Sequence, residues 1–293
     1  MFVTAGMVKN LRQRTNAGMM ECKKALVESE GDIEKAVELL RKKGAASAEK
    51  KAGRIAAEGK IVQKISADGK HGVLIEVNCE TDFVARADSF AAFVDQVADY
   101  AAARRPESLD QLLDGTLKTG ERIEDARNTL IGRIGENVSV RRFQIVEVEE
   151  GRISGYLHGR KIGVLVSVRS GTEVLGHDLA MHIAASNPLG IDESGIPEKE
   201  LIREREIYLS QAEDTGKPAN IVEKIVNGRM KKYLKENTLL GQDFVKDTEI
   251  TIADLLKKNG AEVSGIVRYE LGEGLEQRSD DFVSEVLAQA AGN

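Results

Sequence analysis

The histidines and cysteines are the residues of this chain best suited to metal binding or nucleophilic chemistry. They are His71, His158, His177, His182, Cys22 and Cys79. No two histidines stand four positions apart, and neither a Cys-x-x-Cys nor a His-Glu-x-x-His motif occurs, so the spacings of a zinc site are missing. His177 and His182 are five positions apart, which places them on different faces of a helix. The sequence therefore favours ordinary surface or core histidines and predicts no metal site.

Motifs that cradle a phosphate or activate a serine are also missing. There is no G-x-x-x-x-G-K-[ST] loop, and Gly272-Glu273-Gly274 is too short for a dinucleotide fingerprint. No Gly-x-Ser-x-Gly elbow occurs. The pair Asp280-Asp281 is better interpreted as an acidic helix start that complements the helix dipole than as an acid/base dyad. We therefore predict no catalytic residue, no cofactor and a protein that is not an enzyme.

Composition sets the class of protein. The chain has 293 residues, of which 41% are hydrophobic and 31% charged, and its net charge is −6. That length favours two or three packed units, and the acidic balance argues against a fold-wide attraction to nucleic acid. The sequence has no signal-peptide pattern and no apolar run long enough for a membrane span. Together with two isolated cysteines, these features predict a cytoplasmic protein with reduced thiols.

The first 44 residues predict a small three-helix unit. Asp32 is a suitable N-cap for the third helix, and Gly44 could end that helix in a left-handed conformation. The segment 45–57, rich in alanine and lysine, would then connect the unit to the rest of the chain. Apolar residues at helical spacing form the predicted core of the unit: Val8, Leu11, Met19, Cys22, Leu26, Ile33, Ala36, Val37 and Leu40.

A strand, strand, helix pattern follows. Residues 61–65 and 73–77 predict two strands joined by a turn at Asp68-Gly69. A helix with apolar positions between Phe90 and Ala101 comes next, and Asp88-Ser89 could supply its capping side chain. This part of the chain therefore predicts an α+β unit.

The same pattern occurs a second time. Residues 153–157 and 163–168 predict paired strands, and a helix that contains Leu179 and His182 follows them. We interpret the two copies as a weak internal repeat of two α+β subdomains. Between the copies, residues 123–134 predict a helix and residues 138–148 a strand. Residues 104–122 are expected to form a surface loop.

Residues 197–240 predict an antiparallel helical hairpin, with Pro218 at the start of its second helix. The remaining positions leave the outer faces polar. The apolar positions suffice for one seam between the two helices and are Leu201, Tyr208, Ala212, Ile221, Ile225, Met230 and Tyr233. The chain continues with a predicted helix at 252–258, a strand at 263–269 and a final helix at 282–290. The hairpin is therefore expected to be an insertion within the second subdomain.

These elements predict an α+β fold in five parts. The parts are an N-terminal helical docking domain at 1–54, a first core subdomain at 55–148, a second at 149–190 with 241–271, an inserted helical hairpin at 191–240, and a C-terminal helical module at 272–293. A modular architecture suits the low aromatic content of 4%, because cores built from small aliphatic residues are thin.

Two segments carry a specific family resemblance. LRQRTNAGMMECKKAL at residues 11–26 and EVNCETDFVAR at residues 76–86 resemble signatures of the elongation factor Ts family. Further similar stretches are IGEN at 134–137, HGRKIGVLV at 158–166, AMHIAAS at 180–186 and GRMKK at 228–232. The resemblance runs through almost the whole chain in family order. It implies an N-terminal three-helix (UBA-like) domain, a core of two α+β subdomains, a helical hairpin and a C-terminal helix.

The resemblance also implies a partner and a site. Members of the family act on the GTPase elongation factor Tu as guanine-nucleotide exchange factors, and their Thr-Asp-Phe-Val segment inserts into its GTPase domain. Here that segment is Thr81, Asp82, Phe83 and Val84. From the residues alone, Asp82 could instead cap a helical turn and Phe83 could pack inward, seven positions before Phe90. The residues alone favour this structural alternative. The family pattern reverses the preference, so that Asp82 and Phe83 are interpreted as partner contacts.

Other contacts follow from the same resemblance. They involve Met19, Met20 and Lys23 in the helical domain and Ile134, Gly135 and His158 in the core. The methionines and the lysine could equally be ordinary residues of an amphipathic helix. For His158, contact and surface bystander are equally favoured. The hairpin forms dimers in some members, and here it could serve a homodimer, the partner or neither.

Two other functions compete with nucleotide exchange. Basic runs such as Arg41-Lys42-Lys43 and Lys231-Lys232 could suggest a nucleic-acid-binding protein. The stacking aromatics of single-strand binders are missing around them, so no direct nucleic-acid contact is expected. A small-molecule enzyme with a scattered site is the second rival, and turnover without any GTPase would reveal it.

Overall fold

The computed structural model of the protein describes residues 2–15, 17–214 and 216–275. Its α-helices are α1 Ala5–Thr15, α2 Met19–Glu28, α3 Ile33–Lys51, α4 Asp82–Ala85, α5 Asp88–Arg104, α6 Leu109–Leu113, α7 Ile123–Ile134, α8 Glu173–Ser186, α9 Glu198–Glu213, α10 Ala219–Asn237 and α11 Ile252–Asn259. Its strands are β1 Glu58–Ile65, β2 His71–Cys79, β3 Val138–Glu147, β4 Arg152–His158, β5 Ile162–Arg169, β6 Asp243–Phe244, β7 Asp247–Thr251 and β8 Glu262–Glu270. The fold is α+β, as predicted.

The described strands form three sheets. Their orders are β1-β2-β3, β4-β5-β8 and β6-β7. The predicted turn at Asp68-Gly69 is confirmed, because the Gly69 amide donates to the Ser66 carbonyl at 2.9 Å and Gly69 has a φ of +70°. The second predicted pair is also confirmed: β4 and β5 are antiparallel, from Arg152 opposite Val168 to His158 opposite Ile162. The short, polar strands β6 and β7 were not predicted, because they show no alternation of apolar residues.

The chain divides into two compact units. The first comprises Met1–Lys60, Ile75–Arg142 and Glu270–Asn293, and the second comprises Ile61–Leu74 and Phe143–Tyr269. The predicted final helix at 282–290 lies outside the described residues.

Helices α1 to α3 form the predicted bundle in the first unit. Asp32 is confirmed as the N-cap of α3, because its Oδ1 accepts from the Lys35 amide at 3.1 Å. The buried core consists of Leu11, Ala17, Cys22, Ala25, Leu26 and Ala36. The assignment of Met19 to this core is wrong, since its side chain is 59% exposed. Met19 is the first residue of α2, and helical side chains lean toward the N-terminus, so this side chain projects past the end of the helix.

Gly44 does not end the third helix, contrary to the sequence-based expectation. It lies buried inside α3, which continues to Lys51. A Cβ atom at Gly44 would stand 3.3 Å from the carbonyl oxygen of Asn128 on α7, and Gly132 lies beside it. The glycine therefore permits close packing of two helices rather than a left-handed turn. Most of the segment 45–57 is accordingly helical.

Two further expectations for the first unit are wrong. Residues 104–122 do not simply loop over the surface: they contain α6, whose start is capped by Ser108, and both Leu112 and Leu117 are buried. A helix this short lacks the apolar periodicity that a sequence pattern requires. Asp88-Ser89 does not cap α5 either, because Ala87 occupies the cap position without a side-chain hydrogen bond. Asp88 instead lies in the first turn, where its charge complements the helix dipole.

A buried carboxylate fastens the segment after β8 to the first unit. Glu76 on β2 is fully buried, and its Oε2 accepts from Arg142 Nε at 2.6 Å. Its Oε1 accepts from Arg141 Nη1 and from the Gly272 amide, each at 2.9 Å. Arg142 also reaches Glu273 Oε2 at 3.2 Å. Burial by itself would raise the pKa of Glu76, but the Gly272 amide and both guanidinium groups outweigh it and hold the pKa below its ordinary value.

The second unit contains the β4-β5-β8 sheet and the hairpin of α9 and α10. Helix α8 packs on the sheet, and the buried core is Val164, Val166, Val168, Leu175, Leu179, Ala180, Ile183, Ala184, Leu239, Phe244, Ile252, Leu256 and Val263. The predicted seam of the hairpin is confirmed at Ala212, Tyr208, Ile225 and Met230, which pack with the buried residues Val222 and Val226. The assignment of Ile221 to the seam is wrong, because its side chain is 37% exposed and the neighbouring Val222 is buried instead.

His182 on α8 is fully buried, and both of its ring nitrogens are hydrogen-bonded. Its Nε2 lies 3.0 Å from Gln242 Oε1, and its Nδ1 accepts from the Val245 amide at 3.3 Å. Gln242 uses its Nε2 to donate to the Glu236 carbonyl at 2.8 Å, so its Oε1 is the acceptor for His182. A neutral imidazole satisfies both bonds, whereas a protonated ring would lose the Val245 bond. Burial lowers the pKa of His182.

We expect His182 to make stability pH-dependent. Because its folded pKa lies below the unfolded value of about 6.5, the unfolded chain binds more protons below that pH. The free energy of unfolding should therefore fall as the pH is lowered from about 7.5 to about 5.5. His182→Gln should flatten this slope in urea titrations followed by circular dichroism. His177→Gln, an exposed change on the same helix, should preserve it, and an unchanged slope in His182→Gln would refute the assignment.

Candidate functional site

The Thr-Asp-Phe-Val segment forms a single helical turn directly after a buried strand. Strand β2 ends at Cys79, and α4 begins at Asp82. Thr81 is the N-cap of α4: its Oγ1 accepts from the Val84 amide at 3.4 Å. Val84 and Ala85 are buried and hold the turn against the first unit. A cap and two buried side chains thus define the position of the turn.

Glu136 ties this turn to the end of α7. Its Oε1 accepts from Thr81 Oγ1 at 2.7 Å, and its Oε2 accepts from the Thr81 amide at 3.0 Å. In return, the Asn137 amide donates to Glu80 Oε1 at 2.6 Å. Bidentate, charge-assisted bonds of this kind are short and directional. The turn at residues 80–85 and the segment 134–137 at the end of α7 are therefore held together as one rigid element. We call this element, residues 80–85 and 134–137, the clamped turn.

Phe83 carries the exposed aromatic side chain of the clamped turn. Its side chain is 83% exposed, so the alternative in which it packs inward is wrong. Val84 and Ala85 fill the interior in its place. The alternative role of Asp82 as a cap is also wrong, because Thr81 is the cap. Asp82 lies in the first turn of α4 and pairs with Arg86, with 3.0 Å between Oδ2 and Nη2. An aromatic ring beside a carboxylate thus projects into solvent from a fixed backbone.

Ile134 and Gly135 lie within the clamped turn. Helix α7 ends at Ile134, and Gly135 follows with a φ of +86°, its amide donating to the Ile131 carbonyl at 2.9 Å. Gly135 is exposed, and Ile134 is half-buried. The left-handed conformation directs the chain so that Glu136 meets Thr81. The structure therefore brings these two predicted residues together with the Thr81 to Val84 segment.

Met19, Met20 and Lys23 lie on the exposed surface of α2 in the same unit. The methionines are 59% and 63% exposed, and Val27 two turns along the helix from Met19 is also exposed. Within the described ranges, no hydrogen bond or ion pair joins these side chains to the clamped turn. They form a separate apolar strip with lysines beside it. Exposed methionines of this kind adapt readily to a partner surface.

His158 belongs to the second unit, at the end of β4, where it is exposed. Its Nδ1 lies 3.3 Å from the hydroxyl oxygen of Tyr156. The ring of Tyr156 also makes an edge contact with His177, with 5.6 Å between the ring centroids. His158 is therefore a surface residue whose ring nitrogen contacts the Tyr156 hydroxyl.

Sequence reasoning missed the residues that support the site. Glu136 and Glu80 hold the clamped turn, yet each stands more than 50 positions from its partner along the chain. A signal was available for Glu136, because it directly follows a helix-ending glycine in the IGEN motif. No pattern in the sequence indicated the pairing of Glu80 with the Asn137 amide.

In the part of the chain that the structure describes, no group of three or more histidine, cysteine, aspartate or glutamate residues is placed to hold a metal ion. A cleft of about 670 Å³ lies in the first unit, lined by residues of the α1 to α3 bundle and of the segment 119–132. Its charged lining is largely ion-paired, as in the contacts of Arg41 with Asp125 and of Lys43 with Glu28. None of the described helices combines the length and the hydropathy needed to cross a bilayer.

The candidate site exposes large apolar side chains in two places on the first unit. A rigid turn presents an aromatic ring, and a second apolar strip lies on α2. Exposed aromatic and methionine side chains of this kind are typical anchors of protein interfaces. The described fold is thus α+β, and its exposed aromatic and methionine side chains are of the kind that protein interfaces use.

Comparisons with known proteins identify the family. The family model described as elongation factor TS matches residues 80–273. Elongation factor Ts of Methylococcus capsulatus is 53% identical over 289 residues and covers 99% of both chains. The Halorhodospira halophila protein of the same name is also 53% identical over 289 residues, and that of Legionella pneumophila is 46% identical over 287 residues, 98% of both chains. The chain belongs to the elongation factor Ts family and has a role in the elongation stage of protein biosynthesis.

Proposed function

We propose that this chain is a non-enzymatic guanine-nucleotide exchange factor that acts on elongation factor Tu in the cytoplasm. It binds the GDP-bound GTPase, weakens the binding of magnesium and phosphate, and promotes GDP release so that GTP can rebind. The observation that carries the proposal is the clamped turn, which presents Phe83 in an exposed position on a rigid backbone. Membership of the elongation factor Ts family supports the choice of partner.

Exchange requires a preference for one state of the partner. The chain must bind the nucleotide-free GTPase more tightly than the GDP-bound GTPase, and linkage then weakens GDP binding by the same factor. Each tenfold of preference requires about 1.4 kcal/mol, whereas burial of one phenylalanine contributes about 1.5–3 kcal/mol. Phe83 alone therefore accounts for a factor of about one hundred at most. A larger effect requires a broader interface.

The clamped turn suits the role of a wedge. The hydrogen bonds of Thr81 to Glu136 and the buried residues Val84 and Ala85 fix its backbone before binding, so that little conformational entropy is lost on association. Phe83 inserts between switch-region elements of the GTPase. Asp82 and its neighbours then displace the groups that hold magnesium and phosphate, and the phosphate loop loses its ordered amides.

The remaining contacts broaden the interface. Met19, Met20 and Lys23 on α2 offer an apolar strip with a cation, while Ile134 and Gly135 border the wedge. His158 offers a polar contact from the second unit. The hairpin of α9 and α10 exposes Ile202 and other aliphatic residues, which support either a second copy of this chain or the GTPase as its partner.

A nucleotide-release assay tests the proposal. Elongation factor Tu loaded with fluorescent GDP is mixed with excess unlabelled GDP, with and without this chain. We expect the release rate to rise with the concentration of the chain and to saturate. A parallel titration should show tighter binding to nucleotide-free than to GDP-loaded GTPase. An unchanged release rate, or equal affinities for the two forms, would overturn the proposed function.

A further inference from the structure

Three aromatic side chains form a cluster on the second unit around Tyr156. Tyr156 and His158 lie two positions apart on β4 and therefore share a face of the strand. Their ring centroids are 6.3 Å apart, and the Tyr156 hydroxyl oxygen lies 3.3 Å from His158 Nδ1. His177, which lies on α8, meets the Tyr156 ring edge-on. Tyr156 itself is half-buried and packs against the core of the unit, so it has a fixed position, while both histidines are exposed.

The hydrogen bonds of this cluster restrict where the protons lie. His177 Nδ1 stands 3.3 Å from the Gly155 carbonyl oxygen. A carbonyl only accepts, so a neutral His177 must carry its proton on Nδ1. The Tyr156 hydroxyl can donate or accept, but an imidazole nitrogen with a free lone pair is a better acceptor than a phenol oxygen. The hydroxyl therefore donates to His158 Nδ1, which places the proton of the neutral ring on Nε2.

We propose that Tyr156 is a positioning residue for His158: it holds the neutral ring in its Nε2–H form, so that His158 offers an N–H donor to a carboxylate or carbonyl oxygen of the GTPase. This inference rests on the proposed function. The hydrogen bond from the Tyr156 hydroxyl selects the tautomer of His158, just as hydrogen bonds from neighbouring groups orient functional histidines in other proteins. Without the bond from Tyr156, the proton would lie on His158 Nδ1 for part of the time. The Nε2 atom would then present a lone pair to the partner oxygen, and the two acceptors would repel each other.

Nitrogen-15 NMR on the free chain tests the tautomers directly. At about pH 8, above the ordinary pKa of histidine, we expect His158 to have an unprotonated Nδ1 and His177 an unprotonated Nε2. In Tyr156→Phe, His158 should shift toward a mixture of tautomers. His177 should remain unchanged, because phenylalanine keeps the ring that it contacts. His177 thus serves as an internal control in the same spectrum.

A double-mutant cycle links the tautomer to partner binding. Tyr156→Phe should weaken binding to nucleotide-free elongation factor Tu by about two- to fivefold, the expected size for one exposed hydrogen bond. The effect should vanish in a His158→Ala background. Tyr100→Phe, which removes a hydroxyl from α5 in the first unit, is the matched control and should bind as the unmodified chain does.

The outcomes separate this inference from the proposed function. A His158 ring with its proton on Nδ1 in the free chain would overturn the inference and leave the exchange activity untouched. The same holds if Tyr156→Phe weakens binding equally with and without His158. Failure of the unmodified chain to accelerate GDP release would overturn the proposed function and, with it, the partner contact assigned to His158. The inference is supported if His158 has the predicted tautomer and if Tyr156→Phe weakens binding only in chains that retain His158.

Discussion

Replacing Phe83 with alanine is expected to slow stimulated GDP release by about ten- to one-hundredfold at subsaturating concentrations of the chain. The phenyl ring is 83% exposed in the free protein, so its whole apolar surface is available for burial against the partner. Burial of such a ring contributes about 1.5–3 kcal/mol, and 1.4 kcal/mol corresponds to a factor of ten. Because the ring makes little contact with its own chain, the free energy of unfolding should change by less than about 0.5 kcal/mol.

A matched control exists in the same chain. Phe2 is 97% exposed and lies outside the clamped turn, so Phe2→Ala removes a ring of the same size from a different place. That variant should release GDP at the unmodified rate. Phe83→Leu should fall between the unmodified chain and Phe83→Ala, since leucine retains part of the buried surface. Equal rates for Phe83→Ala and the unmodified chain would remove Phe83 from the mechanism.

Glu76→Gln is expected to destabilise the first unit by about 2–4 kcal/mol. Removal of one partner from a buried ion pair costs about 3–5 kcal/mol, and the partial exposure of Arg141 and Arg142 reduces that figure. The isosteric amide keeps one oxygen, but its NH₂ group faces a guanidinium donor. One of the bonds to Arg142, Arg141 or the Gly272 amide is therefore lost.

Urea denaturation and hydrogen exchange measure the two consequences of this change. Glu76→Gln should lower the urea midpoint and speed the exchange of the Gly272 amide, which donates to Glu76. Glu273→Gln is the control at the exposed end of the cluster, where the ion pair with Arg142 should contribute less than about 1 kcal/mol. Because the pKa of Glu76 is lowered in the folded chain, its stabilisation is present above the ordinary pKa of about 4.3 and is lost as the pH falls below it. A midpoint equal to that of the unmodified chain would contradict the assigned role.

Local patterns predicted the elements well, because their signals lie within one element. The helix at Ile123–Ile134 has the predicted bounds, and Asp32 caps α3 as predicted. Gly44 shows the limit of such reasoning. A glycine can serve a left-handed turn or a close approach of two chains, and only the position of Asn128, far away in the sequence, decides between them.

The sequence predicted where the candidate site lies, but not the buried residues and long-range hydrogen bonds that hold it in place. Resemblance located the segment from Thr81 to Val84, whereas spacing alone left Phe83 free to point inward or outward. The outcome depends on Val84 and Ala85, which occupy the interior. The carboxylate of Glu136 completes the arrangement across a separation of 55 positions. Contacts over such distances depend on the assembled fold and have no local signature.

Helix α7 has a mechanical consequence for the first unit. At its middle, the backbone near Asn128 and Gly132 supports α3 at Gly44, and at its end the residue after Gly135 grips Thr81. Helix α7 therefore contacts α3, which packs against the α2 helix of the apolar strip, and it also holds the turn that exposes Phe83. Because both surfaces are anchored to the same helix, we expect the distance between them to change little when a partner binds.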